Sequence, residues 1–406
     1  MKNYSRYLTQ TVYQLSLKRK KMAFISGPRQ SGKTTLAHLL AGLFDGSSYC
    51  NWDDFEFKKI WAKNPNSLIE KINLDEHGKE LLLILDEIHK EKSWKGKLKG
   101  FYDLYSKDLS IVVTGSARLN VFKKGGDSLM GRYFHFHLHP FSMREFLKLE
   151  PLDPKTFFKH VFKEPDKSNA QDALEALFEY GGFPEPLLEK DKKIARLWQR
   201  GRKEKIVKED LRDISRIPEL SRIEMMMALI PEKVGSLFSY TSLAEDLGVS
   251  PETIKRWIIY LGELYYLYPI QPYAKNIKRS LKKEPKIYLY DWSELEDKGV
   301  RFENMVASHL LKACHFWTDS GEGIYELRYL RNKEKKEVDF IVLENNKPWF
   351  TVECKLNETQ VDPNFEVFQK VLHVPHFQLC LRPGIYRRHN ENLAVMSFEY
   401  FFKEMV

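Results

Sequence analysis

The sequence predicts an α/β fold with a parallel sheet in its N-terminal part, on three observations. Five short apolar runs, at residues 22–26, 48–52, 81–85, 111–114 and 133–138, are separated by longer stretches with helical periodicity. Strands that alternate with helices form a parallel sheet covered on both faces. The segment Gly27-Pro28-Arg29-Gln30-Ser31-Gly32-Lys33-Thr34-Thr35 joins the first run to a helix carrying Leu36, Leu39 and Leu40. Beyond about residue 140 the pattern becomes mainly helical through residue 230, and after residue 285 it returns to strands.

Taken in order, residues 7–20 space Leu8, Val12, Leu15 and Leu17 among Lys and Arg, which predicts an amphipathic first helix. The five strands of the sheet follow. Residues 232–268 carry a helix-turn-helix pattern: Gly248 permits a tight turn, Ser250 caps the next helix and Pro251 opens it. Leu243, Ala244, Leu247, Ile254, Ile258 and Leu261 supply its small core. A basic segment with Lys275, Lys278, Arg279, Lys282, Lys283 and Lys286 comes next and reads as a wing. The tail predicts a helix over 301–314 and strands at 286–290, 324–329, 338–343, 349–355 and 376–380.

A chain of 406 residues exceeds one compact core and implies two or three domains. The net charge of +9 favours anionic partners, nucleotide or nucleic acid among them. Cys50, Cys314, Cys354 and Cys380 lie far apart with no CxxC pair, which argues against a zinc knuckle or disulfide framework and fits a reducing cytoplasm. Residues 1–21 lack the apolar stretch of a signal peptide and no run is long enough to span a bilayer, so no membrane partner is expected.

The chemistry concentrates at the ends of the apolar runs. Gly27 to Thr35 satisfies GxxxxGK[ST] between a strand and a helix, the context in which backbone N–H groups and a helix N-terminus converge on phosphates. There Lys33 reaches the β- and γ-phosphates and Thr34 ligates magnesium, so ATP and Mg2+ are the expected cofactors. The run at 81–85 ends in Asp86 and Glu87. Asp86 holds the metal directly or through water, and Glu87 orients and deprotonates the attacking water. The run at 111–114 ends in Thr114-Gly-Ser116, where either hydroxyl is placed to bond the γ-phosphate or the water; an ordinary turn is the other reading. His135, His137 and His139 alternate along one strand, but no local carboxylate or cysteine joins them, so no metal is expected there.

Two further sites have a pattern. On the second helix of the helix-turn-helix, Thr253, Lys255 and Arg256 would face a DNA groove or its phosphates, although such modules also bind proteins. In the tail, Asp339 lies on one strand and Glu353 and Lys355 on the next, two apart and so on one side. Two carboxylates can hold a divalent cation while a lysine stabilises charge, the arrangement of a metal-dependent phosphodiesterase.

The order strand and phosphate loop, strand and Asp-Glu, strand and Thr-Gly-Ser resembles the AAA-type P-loop ATPases. The segments GPRQSGKTT, LDEIHK, TGSARL, GRYFHFHLHPFSMREF and YGGFPE resemble, over nearly the whole chain, a bacterial and archaeal family. That family joins such an ATPase to a C-terminal domain of unknown function with a nuclease-like core. The resemblance implies an arginine finger at Arg132, donated within or between subunits; a surface or locally paired arginine is the competing reading. It implies that the Gly181-Gly182-Phe183-Pro184 element packs near the adenine, with Arg6 also near the base. Asp339, Glu353 and Lys355 resemble the PD-(D/E)XK nuclease signature, with Glu303 as the extra acid and metal ligand on the first helix; Val338 replaces the name-giving proline.

The expected architecture is therefore an AAA-type P-loop core (1–140), a helical lid (141–230), a winged helix-turn-helix (231–284) and an α/β restriction-endonuclease-like domain (285–406). The expected function is Mg-dependent ATP hydrolysis coupled to a nucleic-acid module, DNA rather than RNA, that binds or cleaves. The alternative is a nucleotide-gated protein-interaction switch with an inactive nuclease-like scaffold. A homo-oligomer or a protein partner fits either.

Overall fold

The computed structural model describes residues 4–72, 80–115, 129–165, 170–214, 219–274 and 284–406. The chain divides into two compact units, residues 1–139 and 140–406. No helix among the described residues is long and apolar enough to cross a membrane.

The first unit is built on five parallel strands: β1 (Met22–Ser26), β2 (Gly46–Asn51), β3 (Leu81–Asp86), β4 (Leu109–Gly115) and β5 (Tyr133–His137). Their order across the sheet is β2-β3-β4-β1-β5. β1, β3 and β4 are buried along their whole length, which is why they read as continuous apolar runs. One face packs Phe24, Leu83, Leu85 and Val113 against Trp61, Trp94, Leu98 and Phe101. The order places β4 between β1 and β3, in a register that pairs Ile25 and Asp86 with Thr114 and Ser26 with Gly115. Three strand ends thus meet along one edge of the sheet. The first helix is shorter than its sequence pattern, Thr9–Leu15, followed by a 3-10 turn over Leu17–Arg19.

The second unit opens with short helices, among them Met143–Phe146, Gln171–Tyr180 and Pro184–Glu189, and the longer Lys192–Lys205. The Gly181-Gly182 pair is imposed by packing. Gly181 sits at φ 76°, and a Cβ there would lie 2.6 Å from Asp291 Oδ1; at Gly182 it would lie 2.6 Å from the Phe141 carbonyl oxygen. The Ser-Met-Arg-Glu stretch has an equally concrete role. Lys312, on the long helix Lys298–Asp319, donates to Glu145 Oε2 at 2.5 Å, Ser142 Oγ at 3.0 Å and the Pro140 carbonyl at 3.1 Å. Both ends of that ion pair are buried, so removing one partner would leave a buried charge.

Helices Tyr240–Leu247 and Pro251–Glu263 form the expected pair, with Gly248 left-handed at φ 62° and the Ser250 hydroxyl accepting from Thr253 N–H. All six apolar residues assigned to its core are buried. β6 (Leu267–Ile270) and β7 (Lys286–Leu289) follow as an antiparallel pair. Of the basic segment read as a wing, Lys275, Lys278, Arg279, Lys282 and Lys283 lie outside the described residues. Lys286 departs from that reading: it begins β7 and is buried.

The tail carries a six-stranded sheet in the order β12-β13-β11-β10-β9-β8. These strands are β8 (Tyr325–Arg331), β9 (Glu337–Glu344), β10 (Lys347–Lys355), β11 (His376–Cys380), β12 (Tyr386–Asn390) and β13 (Leu393–Ser397). β8, β9 and β10 are antiparallel neighbours; β10, β11 and β13 run parallel. Helix Asn364–Leu372 makes the crossover from β10 to β11, as a parallel pair requires.

Candidate nucleotide site and the acidic cluster of the second unit

The loop after β1 is shaped by two glycines. A Cβ on Gly27 would lie 2.2 Å from the Leu138 carbonyl oxygen, so no larger residue passes there. Gly32, at φ 94°, turns the chain into helix Lys33–Ala41. Gln30 also takes a left-handed φ of 62°. The Ser31 N–H donates to the Pro28 carbonyl at 3.3 Å, and the buried Lys33 ammonium donates to the carbonyls of Gly27 at 2.9 Å and Pro28 at 2.8 Å. Arg6 braces the loop from outside through the carbonyls of Ser31 and His139, the latter at 2.7 Å. Its guanidinium therefore supports the loop backbone. Arg29 and Thr35 lie in the same turn and the first turn of the helix.

Across the sheet edge, Asp86 is the focus of three hydroxyls. Thr34 Oγ1 is 3.5 Å from its Oδ2, Tyr49 donates to the same oxygen, and Thr114 Oγ1 donates to Oδ1 at 2.5 Å. Burial, with the Asp86 carboxylate next, pushes the Tyr49 phenol up to about 12. Glu87 follows with φ 58°, held by its own N–H donating to the Thr114 carbonyl at 2.9 Å. This left-handed backbone turns its side chain out of the strand direction. Its Oε2 lies 3.5 Å from His89 Nε2 and 4.0 Å from Lys90 Nζ, and accepts no hydrogen bond from the described residues. Burial raises the Glu87 carboxyl above its ordinary range, with Lys33 pulling the other way.

Lys33, Thr34, Asp86, Glu87 and Thr114 are thus brought to one edge of one sheet. A donor set of hydroxyl and carboxylate oxygens suits Mg2+, and Thr34 and Asp86 fit that ion. The sequence missed Tyr49: its run was legible as a strand, but nothing in it signals that the phenol reaches Asp86.

Ser116 lies outside the described residues. Arg132 is paired within its own unit, its Nε 2.7 Å from Asp103 Oδ1 and an Nη 3.0 Å from Oδ2. Its guanidinium holds the exposed Asp103 carboxyl below its ordinary value. His135 donates or accepts at Ser26 Oγ, 2.8 Å away, and stacks edge-on with His137. His139 lies beyond β5, so the three imidazoles do not share a regular strand. Pro184 opens its helix in the second unit, next to Phe183, whose ring lies 4.4 Å from the Arg202 guanidinium carbon.

The tail residues do gather. The Asp339 N–H donates to Glu353 Oε2 at 3.3 Å, the Cys354 N–H to Asp339 Oδ2 at 2.9 Å, and Lys355 to Glu353 Oε1 at 2.9 Å and to Asp362 at 2.8 Å. Glu303, on the long helix, accepts from the Tyr288 hydroxyl at 2.6 Å. Burial, then the Glu303 and Glu353 charges, pushes the Asp339 carboxyl well up. Among the described residues no group of three or more His, Cys, Asp or Glu is arranged to hold a metal ion. A lysine stands among these acids. Lys286 Nζ stands 2.5 Å from Glu337, 3.4 Å from Glu303 and 4.0 Å from Asp339.

Three regions of the chain match known domain models. Residues 19–147 match an AAA domain, residues 171–295 a domain of unknown function (DUF8612) and residues 298–401 a domain of unknown function (DUF4143). An uncharacterized protein of Methanocaldococcus jannaschii is 24% identical over 365 residues, 87% of this chain and 79% of its own length. An uncharacterized protein of Haemophilus influenzae is 24% identical over 340 residues, covering 78% of each chain. A Walker-type ATPase of Pyrococcus abyssi aligns with a TM-score of 0.41 and 15% identity over 71% of this chain and 94% of its own. The first unit, with its parallel sheet and phosphate loop, is an α/β P-loop domain of the AAA type.

Proposed function

We propose that the protein is a Mg-dependent ATP hydrolase. The observation that carries this reading is the convergence of Lys33, Thr34, Asp86, Glu87 and Thr114 on one sheet edge, beside a loop that tolerates only glycine at position 27. Lys33 lets go of the loop carbonyls and binds the β- and γ-phosphates, with the N–H groups of residues 27–35 around them. Thr34 and Asp86 would hold Mg2+, which would neutralise charge on the phosphate oxygens. Glu87 accepts the proton of the attacking water, and the Thr114 hydroxyl fixes the carboxylate of Asp86. Arg132 leaves Asp103 to act as the finger, from a neighbouring copy. Phosphate release by wild type and Lys33→Ala tests the core of this: turnover in the wild type and none above background in the variant. Equal turnover would remove the loop from the chemistry.

The second unit is the part that ATP turnover drives. Helix Pro251–Glu263 presents Lys255 and Arg256 to solvent, with Thr253 at its half-buried start, as a winged-helix reader of DNA would. Binding to duplex DNA that weakens steeply as salt rises supports this reading. A protein partner is the second reading, and what supports it is the Lys286 ammonium beside Glu303, Glu337 and Asp339, which suits a tail that serves as a scaffold. With no DNA bound at low salt, and plasmid cut no faster by wild type than by Asp339→Ala or Lys355→Ala, the tail is a scaffold.

A further inference from the structure

Lys286 sits at the N-terminal end of β7 with a side chain 4% exposed. Its ammonium lies within 4.0 Å of three carboxylates from two separate elements: Glu303 on the long helix, and Glu337 and Asp339 on β9. The Tyr329 ring centroid is 5.7 Å away on β8. The acids also accept hydrogen bonds from other groups. Tyr288 donates to Glu303 Oε1, the Cys354 N–H to Asp339 Oδ2, and Glu353 accepts from Lys355 and the Asp339 N–H. Lys355, the lysine of the nuclease-like pattern, is itself shared between Glu353 and Asp362. A Cβ on Gly235 would approach Glu303 Oε2 at 3.2 Å, so the Gly235 backbone also lies close to that carboxylate.

We infer that Lys286 is the resident cation of this cluster, and that its tethered ammonium keeps divalent metal out of it. An ammonium supplied by the strand itself is always at hand, whereas Mg2+ must shed water to enter and would stand beside a like charge. The ammonium also ties β7 to the long helix and to β9, so one buried charge links the strand pair that follows the helix-turn-helix to the tail sheet. The nuclease-like pattern at Asp339, Glu353 and Lys355 is then retained as a charge clamp. This deepens the scaffold reading of the tail and is independent of ATP hydrolysis in the first unit.

Mn2+ binding by electron paramagnetic resonance tests it on the full chain. Asp86→Ala is present throughout, so that the first unit contributes no signal. With Lys286 intact, no stoichiometric Mn2+ site is expected. Lys286→Met should gain one, at least tenfold tighter than anything in its parent, and lose it again with Asp339→Asn. A stoichiometric site with Lys286 intact that Asp339→Asn abolishes would overturn the inference. So would folded Lys286→Met that gains nothing. The arm with Lys286 intact needs no substitution in the cluster, and Lys286→Gln, closer in shape, serves where the methionine variant fails to fold.

Discussion

Replacing Glu87 by Gln separates binding from chemistry in the proposed ATPase. The amide keeps the shape of the carboxyl, so the strand end, the left-handed backbone at φ 58° and the N–H bond to the Thr114 carbonyl should persist. What is lost is an acid able to take a proton. General-base assistance contributes about 10²–10⁴-fold, or ~3–5 kcal/mol of barrier, so turnover should fall by that factor. ATP affinity should hold within about tenfold, ~1.4 kcal/mol, because Lys33 and Thr34 are untouched. The pH profile adds a second signature. The base must be ionised to work, and burial raises the Glu87 carboxyl above the ordinary 4.5. Wild-type turnover should therefore fall as pH drops through a limb lying above 4.5, and E87Q should lack that limb. Steady-state phosphate release and fluorescent-nucleotide titration, both across pH, read these quantities. Wild-type turnover in E87Q, with the same acid limb, would refute the role given to Glu87.

Other substitutions probe separate parts of the account. Mixing Arg132→Ala with Glu87→Gln protein should restore part of the turnover missing from each alone, since an intact site then receives an intact arginine; no recovery places Arg132 within its own chain, on Asp103. Gly27→Ala should cost about 1–3 kcal/mol and abolish nucleotide binding, because its Cβ meets a backbone oxygen at 2.2 Å. Gly96→Ala, in helix Trp94–Tyr105 with nothing within 4 Å of the new Cβ, should instead stabilise by up to about 1 kcal/mol, and denaturant titration compares the two. Asp291 is fully buried in the second unit, and burial pushes its carboxyl from 3.8 to about 6. A raised acid is protonated longer in the folded state, so stability falls as pH rises between those values and the penalty, ~3 kcal/mol, is complete above them. Asp291→Asn should flatten that slope in denaturant titrations from pH 4 to 7; an unchanged slope would clear Asp291 of it.

Much of the first unit was legible because its chemistry is local. β1, β3 and β4 are buried on both faces and print as apolar runs, and the loop acts within a few residues, as do the capping serine at 250 and the turn glycine at 248 in the second unit. What escaped the sequence depends on distant partners. β12 is an edge strand whose Arg387, Arg388, His389 and Asn390 face solvent, so it shows no apolar alternation. Lys286 reads as one more basic residue until Glu303 and Glu337 fold against it. Lys312 and Glu145 are 167 residues apart, and neither announces the buried pair they form. The tail pattern around Asp339 placed the right strands together but could not reveal which cation they hold.

The central claim is that the loop before Lys33 wraps a triphosphate beside the acids that close β3. A crystal structure of the protein with Mg2+ and a slowly hydrolysed ATP analogue tests it most directly. The account predicts phosphate oxygens within about 3 Å of Lys33 Nζ and of the loop N–H groups, and a metal between Thr34 and Asp86. An analogue bound elsewhere, with Lys33 still on the carbonyls of Gly27 and Pro28, would contradict it.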